Sequence, residues 1–266
     1  MTSPTTGPSP EPVPAVIRAA LPASFELEPA RHGCSTTVAF VRGAEVPLVL
    51  KRAADPPYAG WLRVEAEILP RIVAAGLPAP AVVAMDDGPH GVWLLLERLP
   101  GEPLCELLPR LDPDERPAWL RRTGALLGRI HTTRVPMDLL EHDSTPWWQR
   151  PRVDLPSTSS GEVLGATRLH AEPPPPAVFV HGDFTLDNVL ADGDALSGVV
   201  DWGGAGRGDP RYDLALALLS AGGGTRLPPP AELRAFYEGY LDAVAGVPEL
   251  RRSIGAALGA TAEPEP

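Results

Sequence analysis

Asn188 is the only asparagine in this chain and Lys51 its only lysine. The other 22 basic side chains are arginines, so a lone lysine marks a place where a compact ammonium is wanted. Asn188 closes the run His181-Gly182-Asp183-Phe184-Thr185-Leu186-Asp187-Asn188, and Asp201-Trp202-Gly203 follows after a short apolar stretch. These types at this spacing suit phosphoryl transfer from ATP. That chemistry needs a carboxylate to orient the attacking hydroxyl and take its proton, and oxygen ligands for Mg²⁺ on the triphosphate. Asp183 is the candidate base, Asn188 a metal ligand that adds no charge, and Asp201 the second metal contact. Taken singly, His-Gly-Asp also fits an ordinary turn and Asp-Trp-Gly a hairpin end; their joint order favours the chemistry.

The elements that would position these residues can be read around them. Thr36 to Arg42 and Val46 to Lys51 are β-rich runs separated by Gly43-Ala44-Glu45, which predicts a hairpin with Lys51 at the end of its second strand. Ser197 to Val200 predicts a strand that delivers Asp201, and Gly203 permits a tight turn behind it. Ahead of the first hairpin, Gly33-Cys34-Ser35-Thr36-Thr37 can set backbone N–H groups and the hydroxyls of Ser35 and Thr36 over phosphates, although a plain turn fits the same letters. Lys51 would meet the α- and β-phosphates and needs a carboxylate to hold it. Trp61, Glu65, Ile68 and Ile72 share one helical face, flanked by Leu62, Leu69 and Val73, so Glu65 points inward. Glu67 falls beside Arg63 and Arg71 on a solvated face. Pro70 predicts a kink or an end to the regular helix. Gly91 to Leu96 predicts a buried strand entering the Pro100-Gly101 linker, with the backbone of Glu97 to Leu99 placed to meet an adenine edge.

These residues resemble the aminoglycoside phosphotransferase family, antibiotic kinases with a protein-kinase-like fold. The likeness runs from about Gly33 to Leu218 and is densest from Val178 to Leu218, where Gly208-Asp209 and Tyr212-Asp213-Leu214-Ala215 extend it beyond the metal ligands. It implies an α+β, two-lobed architecture: a small β-rich N-lobe with one key helix and a larger, mainly helical C-lobe. The corresponding divisions are a flexible Pro-rich arm over 1–20, a nucleotide lobe over 21–98, a catalytic and acceptor lobe over 99–260 and a loose tail over 261–266. It also implies ATP and Mg²⁺ as cofactors, Asp213 as a brace of the catalytic loop, and His181 as a residue that orients that loop. Between His131 and His181 the chain is short and proline-rich where many members carry a longer helical insertion against the acceptor.

Composition sets further bounds. A chain of 266 residues with 44% hydrophobic content can bury a sizeable core as one two-lobed unit. The N-terminal stretch lacks the basic start and apolar run of a signal peptide, no apolar run reaches membrane-spanning length, and two distant cysteines suit a reducing compartment; a cytoplasmic protein is expected. A net charge of −11 argues against nucleic acid or an anionic membrane surface as partner. From Leu99 onward 24 acidic residues face 15 arginines, which would attract a cationic small molecule and also serves plain solubility. Asp138, Glu141, Asp143 and Asp154 are the acceptor-site candidates, and Trp147 or Trp148 can stack on a sugar or pin its loop to the core. An ATP-dependent small-molecule kinase, first of an aminoglycoside, is the leading expectation. Macrolides, peptide antibiotics, homoserine or a choline-like alcohol are alternative acceptors. A silent nucleotide-binding regulator and a metal hydrolase using His181, Asp183 and Asp201 are the rival classes.

Overall fold

Five antiparallel strands form the first layer, in the order β1-β2-β3-β5-β4: β1 Glu26–Pro29, β2 Thr37–Arg42, β3 Leu48–Ala53, β4 Val82–Gly88 and β5 Gly91–Glu97. The structure is a computed structural model that describes residues 13–30, 36–135, 176–224 and 227–262. Val92 to Leu96 of β5 are buried on both faces, so each face of the sheet has its own cover. On one face lies helix α2, Pro56–Ala74, which buries Leu62, Ile68, Leu69 and Ile72. Glu65 is buried on the same face, Glu67 is exposed beside Arg71, and Val73, expected near the buried stripe, is 41% exposed.

The opposite face is covered by helix α1, Ala15–Ala20. Its Ile17 is completely buried among Val41, Leu48, Leu50, Trp93 and Leu95. This corrects the flexible-arm reading for Ala15–Ala20, where the chain supplies the apolar cover that the outer sheet face requires. Of the two outcomes expected at Pro70, the helix does not take the end. The helix carries past it to Ala74, since Pro70 sits on the exposed face while Ile68, Leu69 and Ile72 anchor the buried side.

After Glu97 the chain crosses through Arg98–Gly101 to β6 Glu102–Pro103, helix α3 Leu104–Leu107 and helix α4 Arg116–Thr132. There follow β7 Val178–Val180, the hairpin of β8 Val189–Asp192 and β9 Ala195–Val199, and β10 Gly206–Gly208 paired with β7. Three helices complete the described chain: α5 Pro210–Ala221, α6 Pro230–Ala243 and α7 Pro248–Ala262. One continuous apolar core joins α2 to this second, mainly helical lobe.

A tight helix–helix seam in that lobe lies between α4 and α6. A Cβ on Gly124 would stand 2.0 Å from the Phe236 carbonyl oxygen, and one on Gly239 would stand 2.0 Å from the Arg121 carbonyl oxygen. The helices therefore meet backbone to backbone, and Arg121 closes the rim with Glu238 at 2.7 Å and Asp242 at 2.6 Å. Gly60 on α2, by contrast, has nothing within 4 Å of its would-be Cβ. Gly239→Ala should cost about 1–3 kcal/mol by overpacking, whereas Gly60→Ala should stabilise by about 0.5–1 kcal/mol through helix propensity. Urea unfolding of both variants checks the pair; equal midpoints would mean the seam can yield.

Candidate active site

The β8–β9 hairpin explains why Asn188 and Asp201 come together. Val189 pairs with Val199, so the residues just outside the two strands lie at the same end, and the Val200 amide donates to the Asn188 carbonyl at 2.9 Å. Asn188 reaches back to the loop before it, its Nδ2 donating to the Asp183 carbonyl at 2.9 Å and to Asp183 Oδ2 at 3.3 Å. The amide nitrogen is thus engaged, which turns the carboxamide oxygen away from Asp183. Asp201 adopts the left-handed conformation at φ 67 and ψ 58, the one non-glycine residue with positive φ among the described residues. Such a backbone stores strain that its surroundings must hold in place.

Those surroundings come from the first lobe. Lys51 Nζ, on β3, lies 2.8 Å from both oxygens of Glu65 on α2 and 3.1 Å from Asp201 Oδ1. Glu65 Oε1 also accepts the Trp202 amide at 3.3 Å, which ties α2 to the turn that carries Asp201. Glu65 is fully buried, while the Asp201 side chain stays 55% exposed at the mouth of the cleft. Burial opposes the Lys51 charge, but Asp201 and Glu65 outweigh it and hold the ammonium above the ordinary lysine value. Lys51 in turn depresses Asp201 below the usual carboxylate range, and burial pushes Glu65 upward against the same ammonium. Two carboxylates share one cation, so one negative charge remains beside the open Asp201 carboxylate.

The loop bearing Asp183 hangs from Asp213 at the start of α5. Asp213 Oδ2 accepts the His181 amide at 2.7 Å and Oδ1 the Gly182 amide at 2.9 Å. Gly182 has φ 80, and a Cβ there would stand 2.0 Å from the Gly204 carbonyl oxygen; no other residue fits. Phe184 and Leu186 are buried anchors, and the Leu186 amide donates to Ser220 Oγ at 2.9 Å. The buried His181 ring has its tautomer set by its neighbours: Nε2 donates to the Val200 carbonyl at 3.1 Å and Nδ1 accepts the Asp183 amide at 3.2 Å. His181 thereby links the Asp183 loop to the strand before Asp201. Burial holds its pKa below the usual histidine value.

Of the other expected site residues, Thr36 directly precedes β2. The amides of Glu97 and Arg98 are committed to the carbonyls of Ala81 and Pro47, at 2.9 and 2.8 Å. For an adenine edge this leaves the Glu97 carbonyl and the backbone of Leu99, whose side chain packs on Gly198. Arg211 pairs with Asp209, the N-cap of α5. Ser35 and the acceptor candidates Asp138, Glu141, Asp143 and Asp154, with Trp147 and Trp148, lie outside the described residues. Sequence reasoning missed three anchors of this loop: Ser220, His131 and Cys105, whose thiol donates to Asp187 at 3.2 Å and is pushed up to about 12 by burial and then by Asp187. The signal for His131 was its place on the buried face of α4.

A sheet lobe and a helical lobe that share a Lys-Glu-Asp contact across their cleft define a protein-kinase-like fold. The chain belongs to the phosphotransferase enzyme family, whose model matches residues 26–252. It is 27% identical over 217 residues to acyl-CoA dehydrogenase family member 10 of Mus musculus, a match covering 74% of this chain and 20% of that protein. It is 32% identical over 168 residues to homoserine kinase of Pseudomonas aeruginosa (strain LESB58), covering 57% of this chain and 51% of the kinase. The chain thus spans about a fifth and about half of the lengths of these two curated relatives. In fold it is similar to the crystal structure of aminoglycoside-3'-phosphotransferase of type VIII, with a TM-score of 0.60, 22% identity, and coverage of 92% of this chain and 97% of that one. No described helix is long and apolar enough to cross a membrane.

The His181 shift predicts a pH dependence. Its folded pKa lies below the unfolded value near 6.5, so its contribution to stability is complete above that value and is lost as pH falls through the folded pKa. Melting temperature should therefore drop between pH 7.5 and pH 5. His181→Gln offers a donor and an acceptor that do not titrate, so the same acidification should cost this variant less; equal slopes would show that His181 does not carry the effect.

Proposed function

We propose that this protein is an ATP- and Mg²⁺-dependent small-molecule kinase that phosphorylates a hydroxyl. The supporting observation is the Lys51 ammonium shared between Glu65 and Asp201, set beside a loop whose Asp183 is tied to Asn188. The donor set fits the ion. One carboxylate and one carboxamide oxygen suit a hard cation that takes its remaining ligands from phosphates and water. When bound, Mg²⁺ would neutralise phosphate charge, and Asn188 and Asp201 would hold it. In this reading Lys51, fixed by Glu65, positions the α- and β-phosphates, and the backbone of Glu97 and Leu99 meets the adenine. Asp183 orients the acceptor hydroxyl and takes its proton as the oxygen–phosphorus bond forms and the bond to ADP breaks. His181 and Asp213 hold the loop in place.

The acceptor we propose is an aminoglycoside, modified by O-phosphorylation in the manner of a resistance enzyme. The acidic second lobe suits a polycation, and the fold is shared with a named aminoglycoside kinase. Glu141, Asp143 and Asp154 are the proposed acceptor contacts. Homoserine is the second reading, favoured by the 32% identity to a homoserine kinase. ATP consumption measured against aminoglycosides, peptide antibiotics, macrolides, homoserine and choline decides between them. The amino-sugar reading predicts turnover with an aminoglycoside and a Michaelis constant that rises with salt, because exposed charges are screened within about 10 Å at 0.1 M. Turnover with homoserine alone would replace the acceptor and keep the kinase.

The mechanism has its own test. Asp183→Asn should lower transfer by at least about 100-fold while ATP affinity stays near that of the parent protein. Lys51→Ala should impair both binding and turnover, since it removes phosphate positioning. Full transfer by Asp183→Asn would remove Asp183 from the role of base.

A further inference from the structure

Inside the second lobe a string of buried polar groups runs from α6 to the loop that carries Asp183. Tyr240 Oη lies 2.8 Å from His131 Nδ1, and His131 Nε2 lies 3.3 Å from Asp213 Oδ2. Asp213 then accepts the amides of His181 and Gly182, at 2.7 and 2.9 Å. Tyr240 and Asp213 are fully buried and His131 is 3% exposed, so the string is shut off from bulk solvent. A carboxylate only accepts, which places a proton on His131 Nε2. With the second nitrogen unprotonated, its lone pair faces the Tyr240 hydroxyl. Burial pushes the Tyr240 phenol well above its ordinary value, so the hydroxyl keeps its proton.

Packing does not require these polar groups. Phenylalanine would fill the ring space of Tyr240, and an apolar side chain would suit the buried face of α4 better than an imidazole. A hydroxyl and an imidazole kept dry are costly unless each has a partner, and here each partner leads towards Asp213. The glycine seam between α4 and α6 fixes the distance between the helices that carry them.

We propose that Tyr240 and His131 are positioning residues for the transfer reaction, holding Asp213 in the rotamer that suspends the Asp183 loop and so coupling α6 to the catalytic base. Tyr240 sets the His131 ring, the ring sets the Asp213 carboxylate, and the carboxylate sets two consecutive amides just before Asp183. The kinetic consequence rests on the phosphotransfer reading given above, whereas the structural consequence does not.

The test compares Tyr240→Phe with Tyr237→Phe, a buried tyrosine three residues earlier on α6 that is not part of the string. Hydrogen exchange at the amides of His181 and Gly182 is measured relative to β5 amides, which report global unfolding. Mg²⁺-ATP turnover is measured with water as the acceptor. Tyr240→Phe should speed exchange at both amides by about fivefold to tenfold, the effect of losing one hydrogen bond, and lower kcat by a similar factor with the KM for ATP unchanged. Tyr237→Phe should match the parent protein. His131→Gln, which keeps a donor for Asp213 and an acceptor for Tyr240, should retain protection that His131→Leu loses; this comparison decides the matter even if Tyr240→Phe fails to fold. Unchanged exchange in both Tyr240→Phe and His131→Leu would overturn the proposal, as would an equal rise in Tyr237→Phe. If exchange changes as expected but the parent protein consumes no ATP with water or with any of the acceptors above, the functional reading fails and the positioning string stands.

Discussion

A single buried ammonium keeps the two lobes in register. Lys51 comes from the sheet, Glu65 from the helix laid across it, and Asp201 from the strand end of the other lobe, yet all three meet within 3.1 Å. Removing the cation would strand a fully buried Glu65, and a buried charge left unpaired costs far more than the pair contributes. The contact is therefore obligatory once α2 is packed. It explains why a chain that otherwise uses arginine keeps one lysine: a compact ammonium can be shared by two carboxylates where a planar guanidinium imposes its own fork geometry. It also explains the strained Asp201 backbone, which is gripped through its side chain by Lys51 and through the next amide by Glu65.

The second lobe meets the same difficulty with a different solution. Asp213 is a buried carboxylate with no Lys or Arg partner among the described residues, and its charge is spread over two backbone amides and an imidazole. Hydrogen bonds to a carboxylate are the strong ones, provided the donors cannot move away. Here they cannot. Gly182 is pressed against Gly204, and the helix that carries His131 is pressed against α6 through glycines. Close backbone packing is thus what makes a dry polar network tolerable in this core.

Much of the site was legible because it is local. The 3.6-residue period put Glu65 on the buried face and Glu67 outside, and two β-rich runs around a glycine turn put Lys51 on the sheet. What the sequence concealed depends on partners far along the chain. Nothing around Ala15 to Ala20 announces that the outer sheet face needs Ile17, and nothing at Pro70 shows that its neighbours on the buried face will hold the helix through it. The commitment of the Glu97 and Arg98 amides to Ala81 and Pro47 follows from strand register, which no single run of letters contains. His131 and Tyr240 lie 109 positions apart, each looking like an ordinary core residue.

The hairpin that carries the two proposed metal ligands shows how fine such a register constraint is. β8 pairs with β9 from Val189↔Val199 to Asp192↔Ala195, but the pairing slips by one residue between Leu190 and Ala191, leaving Ser197 as the extra residue of a bulge. A one-residue change in a strand sends every side chain beyond it to the other face. The bulge therefore decides which way the chain faces as it leaves β9 for Asp201. Ser197 is anchored at that point, its hydroxyl donating to the Pro100 carbonyl at 2.6 Å in the crossing between the lobes. Gly198 beside it lets Leu99 and the Pro78 carbonyl approach where a side chain would clash. The crossing between the lobes and the strand that aims Asp201 are fixed to each other at the bulge, so neither can shift without the other.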